Sequence, residues 1–373
     1  MSEWRKTTLG DLVTLQRGHD LPSSQRIPGD VPVMGSGGVA GWHNAAKASG
    51  PGVTLGRAAN LGVPALIQDD FWPLNTTLYV TDFHGNDVRF VYHLFQTLDL
   101  SGYNSGSVQP MLNRNFIKGV EVTVPEPAEQ RKISATLAAL DEKIGVNDRI
   151  AACALQLADA YFELAVDGIP AGPETFDSIA QVGGGGTPST KNPAFWGGAI
   201  AWSTPSDVTA LRVPYLFDTS RKITDAGLDE CASALYPAGS ILMTSRATIG
   251  AFAIPQIPTA VNQGFVVVTA PDENLTMWLF HEMRDRVDEM VGLANGSTFL
   301  ELSRKNFKAM NVRLPAPEVV KAFAEKVAPL HKRASAASAE NSTLIALRDT
   351  LLPELMSGRL RVKDAEKVVE DAV

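Results

Sequence analysis

No Gly-Lys pair occurs in these 373 residues, although GGGGTPSTK at 183–191 carries the glycines, hydroxyls and lysine of a phosphate-wrapping loop. A nucleoside-triphosphate loop needs G-x-x-x-x-G-K-[ST], because the lysine must follow the last glycine closely to reach the β and γ phosphates. Here Lys191 lies beyond Pro188, well past Gly186, so the stretch needs another explanation. There is no Pro-Pro pair either, and so no [DNS]-P-P-[YF] loop with which an adenine methyltransferase grips a flipped base. Asn192-Pro193-Ala194-Phe195 comes closest, but no cofactor glycine motif follows a clear strand. The only Pro-Asp pair, Pro271-Asp272, has no later Asp/Glu-x-Lys to complete a metal-dependent nuclease site, and no G-x-S-x-G elbow offers a serine nucleophile.

Cysteine is scarce. Cys153 and Cys231 are far apart and outside any C-x-x-C pair, which argues against a disulfide framework or a zinc site and predicts two buried small hydrophobes. The six histidines form no i, i+4 pair, so metal ligation is not expected. No apolar run approaches the ~20 residues of a membrane helix, and MSEWRKTTLG has no apolar stretch behind its basic pair, so a cytosolic protein without membrane association is expected. Positive charge is also lacking. A formal net charge of −8 argues against coating nucleic acid by bulk electrostatics, though basic residues can be confined to one face.

What is present is a duplication. GHDLPSSQR at 18–26 echoes GGGTPSTKN at 184–192, Arg57 matches Arg246, and Asn75 matches Asn262. Residues 105–127 match 295–317, so that Arg114-Asn115-Phe116 falls on Lys305-Asn306-Phe307. Each copy reads as short β-rich runs such as VTLGR and GFVVV, a brief helix capped by Asn113 or Ser303, and a strand ending in P-x-P. A long helix then follows each copy. Ile133, Leu137, Leu140 and Ile144 recur at coiled-coil spacing, as do Phe323, Val327 and Leu330, and two such helices pack most economically on each other.

GGGGTPSTKNPAFWGG, WSTPSD, VMGSGGVAGWHN, LGRAANLGVPAL, the AEQRKI helix start and LLPELMSGRL together resemble the specificity subunits of type I restriction-modification systems, over almost the whole chain. The resemblance implies an α+β fold: two similar target-recognition domains separated by two long helices packed as an antiparallel coiled coil, with an internal pseudo-two-fold repeat. The expected divisions are a first recognition domain at 1–125, a central helical spacer at 126–166, a second recognition domain at 167–315 and a C-terminal helical spacer at 316–360. A charged, flexible tail is expected at 361–373. The resemblance further implies a non-catalytic reader of a bipartite double-stranded DNA target. Two methyltransferase subunits would dock on the spacer helices marked by Ile133, Leu137, Leu140, Ile144, Phe323, Val327 and Leu330, and motor-nuclease subunits are further partners of such systems. This chain would bind no cofactor; S-adenosylmethionine and ATP belong to the partners. The second long helix begins APEVVKAF and lacks the Glu129-Gln130 pair of the first, so unequal docking on the two helices is expected.

Base reading wants Arg, Lys, Asn and Gln on rigid loops. The candidates are Ser23, Gln25, Arg26, His43, Asn44 and Arg57 in the first copy, and Thr187, Ser189, Lys191, Asn192 and Arg246 in the second. Trp42, Trp196 and Trp202 are expected in the core. Two alternatives remain open: a coiled-coil adaptor that binds proteins only, and a fused DNA methyltransferase whose motifs escape recognition.

Overall fold

The computed structural model describes residues 4–103, 110–296 and 300–372, so parts of the duplicated segment, SGSVQ at 105–109 and STF at 297–299, lie outside the described residues. The chain divides into two compact units, 1–144 with 343–373 and 145–342. Among the described residues no helix is long and apolar enough to cross a membrane.

In the first unit an antiparallel four-stranded sheet runs in the order Thr14–Arg17, Thr77–Asp82, Gly52–Gly56, Pro64–Ile67. Beside it Val31–Gly35 pairs antiparallel with Gly38–His43 and parallel with Trp72–Pro73. The helix Val88–Thr97 buries Phe90, Val91, Leu94 and Phe95 at the spacing of one helical face. The second unit repeats this topology. Gln181–Gly183, Phe265–Thr269, Ile241–Arg246 and Thr248–Pro255 take the same order, extended by Tyr215–Leu216, while Trp196–Ser203 lies between antiparallel Arg221–Ile223 and parallel Thr259–Val261. The helix Glu273–Asp285 then occupies the place of Val88–Thr97 in chain order.

The brief capped helices form as read: Asn113 accepts from Asn115 N before Arg114–Ile117, and Ser303 accepts from Asn306 N before Arg304–Lys308. The strands before P-x-P differ. Glu121–Val124 pairs with Arg5–Thr8, but the second copy keeps only the bridge Thr175–Asn311. Its backbone is instead held by scattered bonds, Gly172 N to Val312 O (3.0 Å) and Val312 N to Glu174 O (2.8 Å).

Two 40-residue helices, Pro127–Val166 and Pro317–Met356, contribute to both units. In the first unit Ile133, Leu137, Leu140 and Ile144 are buried with Leu344, Leu351 and Leu355. In the second, Ala151, Ala154, Leu155, Ala158 and Phe162 are buried with Val320, Phe323, Val327, Ala334 and Ala337, and Leu330 packs against them. The segments run antiparallel: Asp141 meets Arg348 (2.9 Å), whereas Asn147 meets Glu340 (2.9 Å) and Asp148 meets Asn341 (2.8 Å). Asn147 and Asn341 are buried, and polar pairs at core positions of paired helices fix register where Leu and Ala alone would permit sliding.

Gln130 is 0% exposed. Its Oε1 accepts from Asp87 N (3.0 Å), its Nε2 donates to Asn86 Oδ1 (2.8 Å), and Ser134 Oγ donates to Asp87 Oδ1 (2.6 Å), which latches the long helix to the cap of Val88–Thr97. Near the start of the second long helix the buried residue is Val320, an apolar contact in place of this latch. Residues Val362–Ala372, expected as a flexible tail, form a helix, because Val362, Ala365 and Val369 share one face and pack into the first unit's core. Cys153 is exposed rather than buried; only Cys231 follows the expectation.

A buried polar chain crosses the second unit. Tyr215 Oη lies 3.0 Å from His331 Nδ1, His331 Nε2 2.9 Å from His281 Nε2, and His281 Nδ1 2.7 Å from Asp159 Oδ1. Asp159 also accepts two bonds from Arg284 (3.2 and 2.7 Å). A carboxylate can only accept, so His281 carries its proton on Nδ1 and accepts at Nε2; His331 therefore donates from Nε2, and Tyr215 donates to His331 Nδ1. Every ring nitrogen is satisfied with both imidazoles neutral. Burial opposes the Asp159 charge, but the hydrogen bonds from His281 and Arg284 and the Arg284 charge outweigh it and bring the carboxyl down to about 2. Burial is the main cause that lowers His281, and it takes His331 down to about 3.

Candidate nucleic-acid interface

The stretch GGGGTPSTK enters from the strand Gln181–Gly183 and threads between neighbouring backbones. A Cβ on Gly185 would run into the Val261 carbonyl, and one on Gly18 in the first unit would run into that of Leu74. The glycine run thus permits a close backbone approach and makes no phosphate cradle. Gly185→Ala should destabilise the second unit by about 1–3 kcal/mol, since a backbone carbonyl cannot rotate aside as a side chain can. Urea denaturation checks this, and an unchanged midpoint would refute it.

Past the glycines the loop is held by side chains. Trp202 Nε1 donates to Gly186 O (3.1 Å), Trp196 Nε1 donates to Ser189 O (3.2 Å), and Ser189 N donates to Glu230 Oε2 (3.2 Å). Thr187 Oγ1 donates to Gln263 Oε1 (2.7 Å), and Asn192 caps the turn Pro193–Phe195 through Ala194 N (3.1 Å). Thr187, Ser189, Lys191 and Asn192 are therefore brought together as exposed residues of one anchored loop. Arg246 is half-exposed and pairs with Glu301 (2.7 Å). In WSTPSD, Thr204 and Asp207 form a capping box, and Asp207 Oδ1 also accepts from Ser220 N (2.9 Å). Burial disfavours the Asp207 charge, yet these bonds, led by Thr204, hold its carboxyl below the usual range.

The first unit places its candidates less uniformly. Ser23, Gln25 and Asn44 are exposed. Arg26 is half-buried and donates to Ala40 O (2.6 Å). Arg57 donates to Asn75 O (3.2 Å), with burial first and the Arg17 charge second lowering its pKa. His43 is only 6% exposed; its Nδ1 accepts from Ile27 N (3.0 Å) and its ring meets Trp72 edge-on. His43 is thus turned into the domain rather than out to solvent, unlike its neighbour Asn44.

The tryptophans divide three ways. Trp202 is buried as expected, Trp196 is half-buried, and Trp42 is 56% exposed, on a strand that also exposes Val39. The reason is register: Trp42 pairs with Pro32 on the outer strand of a three-stranded sheet, on the face opposite its buried neighbour His43. The helix residues Ile133, Leu137, Leu140, Ile144, Phe323 and Val327 are buried in this chain's own units, so a partner would meet other faces of the two helices. Sequence reading missed one feature. The Arg221 guanidinium lies 3.5 Å from the Trp196 ring centroid, a contact created by sheet pairing between distant segments and by no local motif.

Comparison with known proteins gives a consistent result. The family described as type I restriction modification DNA specificity domain matches residues 1–152 and 174–340. The chain is 37% identical over 142 residues to the type I restriction enzyme MjaIX specificity subunit of Methanocaldococcus jannaschii, covering 38% of this chain and 33% of that protein. It is 26% identical over 203 residues to the HindI specificity subunit of Haemophilus influenzae, covering 52% of this chain and 42% of that protein. The aligned segments thus span about a third and about two fifths of these relatives. The fold is similar to the crystal structure of a type I restriction-modification system S subunit from M. genitalium, with a TM-score of 0.61 and 16% identity over 95% of this chain and 96% of that one.

Proposed function

Since the chain belongs to the type I restriction-modification DNA specificity family, we propose that it reads a bipartite DNA target, one half with each unit, and that it performs no chemistry itself. The observation that carries this reading is the repetition of one sheet topology in two units, each presenting its own set of loops. Near-duplicated readers suit two half-sites, as two-fold symmetric binders do, and their differing loops suit different bases. Methyltransferase subunits that carry S-adenosylmethionine, two per chain, would dock on the exposed faces of the long helices. Motor-nuclease subunits that hydrolyse ATP would join such an assembly.

Exchange of residues 167–315 for the corresponding segment of a relative should change one half of the recognised sequence and leave the other intact. Methylome sequencing of cells carrying the exchange reads both halves at once. A change in both half-sites would contradict independent readers, and methylation by the purified chain alone would contradict a non-catalytic role.

A further inference from the structure

We propose that Arg221 reads a guanine in the half-site recognised by the second unit, an assignment that rests on the DNA-reading role above. The guanidinium lies over the Trp196 ring at 3.5 Å, with Trp202 at 5.6 Å and the two indoles edge to face at 5.1 Å. Its backbone is also pinned. Thr219 Oγ1 donates to Arg221 O (2.7 Å) and accepts from Trp202 N (3.1 Å), and Trp202 and Arg221 are register partners.

Arg212, Arg246, Arg284, Arg286 and Arg313 of the same unit each meet a carboxylate, while Arg149, Arg304 and Arg333, like Arg221, have no ion-pair partner among the described residues; of these four, Arg221 alone lies over an indole. Arg221 is exposed and has no hydrogen-bond acceptor or ion-pair partner among the described residues; even its neighbour Lys222 is paired, with Asp218 (3.2 Å). The same indoles anchor Gly186 and Ser189, so Arg221 stands on the platform that holds the GGGGTPSTK loop. A planar cation stacked on an aromatic keeps its N–H donors free in the plane of the guanidinium. Two parallel donors in a fixed plane match guanine O6 and N7, the commonest specific contact in the major groove. A phosphate contact has no need of a fixed plane, and fixing the side chain before binding lowers the ordering cost that a reader pays.

The test replaces the chromosomal allele in the source cells, so that the full chain works with its native partners, and reads adenine methylation genome-wide. Arg221→Met is the informative variant, because its unbranched apolar stem still covers Trp196 while all donors are gone; Arg221→Ala is its companion. Both should relax preference at one G·C pair of one half-site by roughly 10- to 100-fold, with the other half-site unchanged. Arg221→Lys should retain part of the preference. Uniformly weaker methylation with an unchanged motif would make Arg221 a phosphate contact and overturn the assignment, as would wild-type methylation by Arg221→Met. If wild-type cells show no methylated motif that depends on this chain, the DNA-reading role itself fails, and the guanine assignment falls with it.

Discussion

Glu282→Ala should cost the second unit about 3–5 kcal/mol, the scale for removing one partner from a buried ion cluster. Glu282 is 0% exposed and sits in the helix Glu273–Asp285. Its Oε1 accepts from Arg286 Nη1 (2.8 Å) and from the Arg313 backbone N–H (3.1 Å), while Oε2 accepts from Arg313 Nε (2.9 Å). Burial disfavours the charge of both guanidiniums. Glu289 and Glu282 outweigh it at Arg286, and Glu282 and Asp285 do so at Arg313, so both stay above the usual arginine range. Without Glu282, a backbone donor and two partly buried cations lose their shared acceptor. The cluster ties the helix to NVRLPAP, where the first unit uses the strand pair Arg5–Thr8 with Glu121–Val124. Urea denaturation with a fluorescence readout measures the effect, and a loss below about 1 kcal/mol would show that this charge is dispensable.

Mild acid is the second route to large destabilisation. His331 has a folded pKa of about 3 and an ordinary unfolded value near 6.5, and His281 is shifted in the same direction. Between these values the unfolded chain binds the proton that the folded chain refuses, so stability rises with pH through this window and is lost as pH falls below about 6.5. His331 alone should remove about 2 kcal/mol between pH 7 and pH 5. Asp159 works in the same direction further down, between its unfolded value near 3.8 and about 2. Structurally, a proton added to either imidazole puts two N–H groups face to face at the His281–His331 contact or forces Tyr215 to find a new acceptor. The denaturation midpoint should fall from pH 7 to pH 5, and His331→Asn should flatten that slope while lowering stability at pH 7. A midpoint constant over this range would mean that the chain accepts protons without strain.

Sequence reading recovered what repeats and what is periodic. Arg114-Asn115-Phe116 against Lys305-Asn306-Phe307 announced two copies of one fold, and the spacing of Ile133, Leu137, Leu140 and Ile144 announced a packed helix. It failed where the answer depends on partners distant in sequence. His43 reads as a loop donor, but strand register turns it inward and turns Trp42 outward. The missing Gly-Lys pair already set GGGGTPSTK apart from a phosphate loop, but what its glycines do instead, admitting the Val261 carbonyl, depends on a partner distant in sequence. His281 and His331 show no motif, yet three elements bring them together with Asp159. The residues 361–373 read as a charged tail because the apolar face of Val362, Ala365 and Val369 is too short to stand out among charges.

The interleaved make-up of the units sets an order of maturation. During synthesis from the N-terminus, domains ordinarily fold in the order in which they emerge. Here the second unit is one uninterrupted stretch, 145–342, whereas the first must wait for residues from 343 onward. Until Leu344, Leu351 and Leu355 arrive, the seam of Ile133, Leu137, Leu140 and Ile144 has no partner from the other long helix. Of the two units, the one whose helices and strands precede residue 145 is thus the later to close its core, because part of that core is supplied from beyond residue 342.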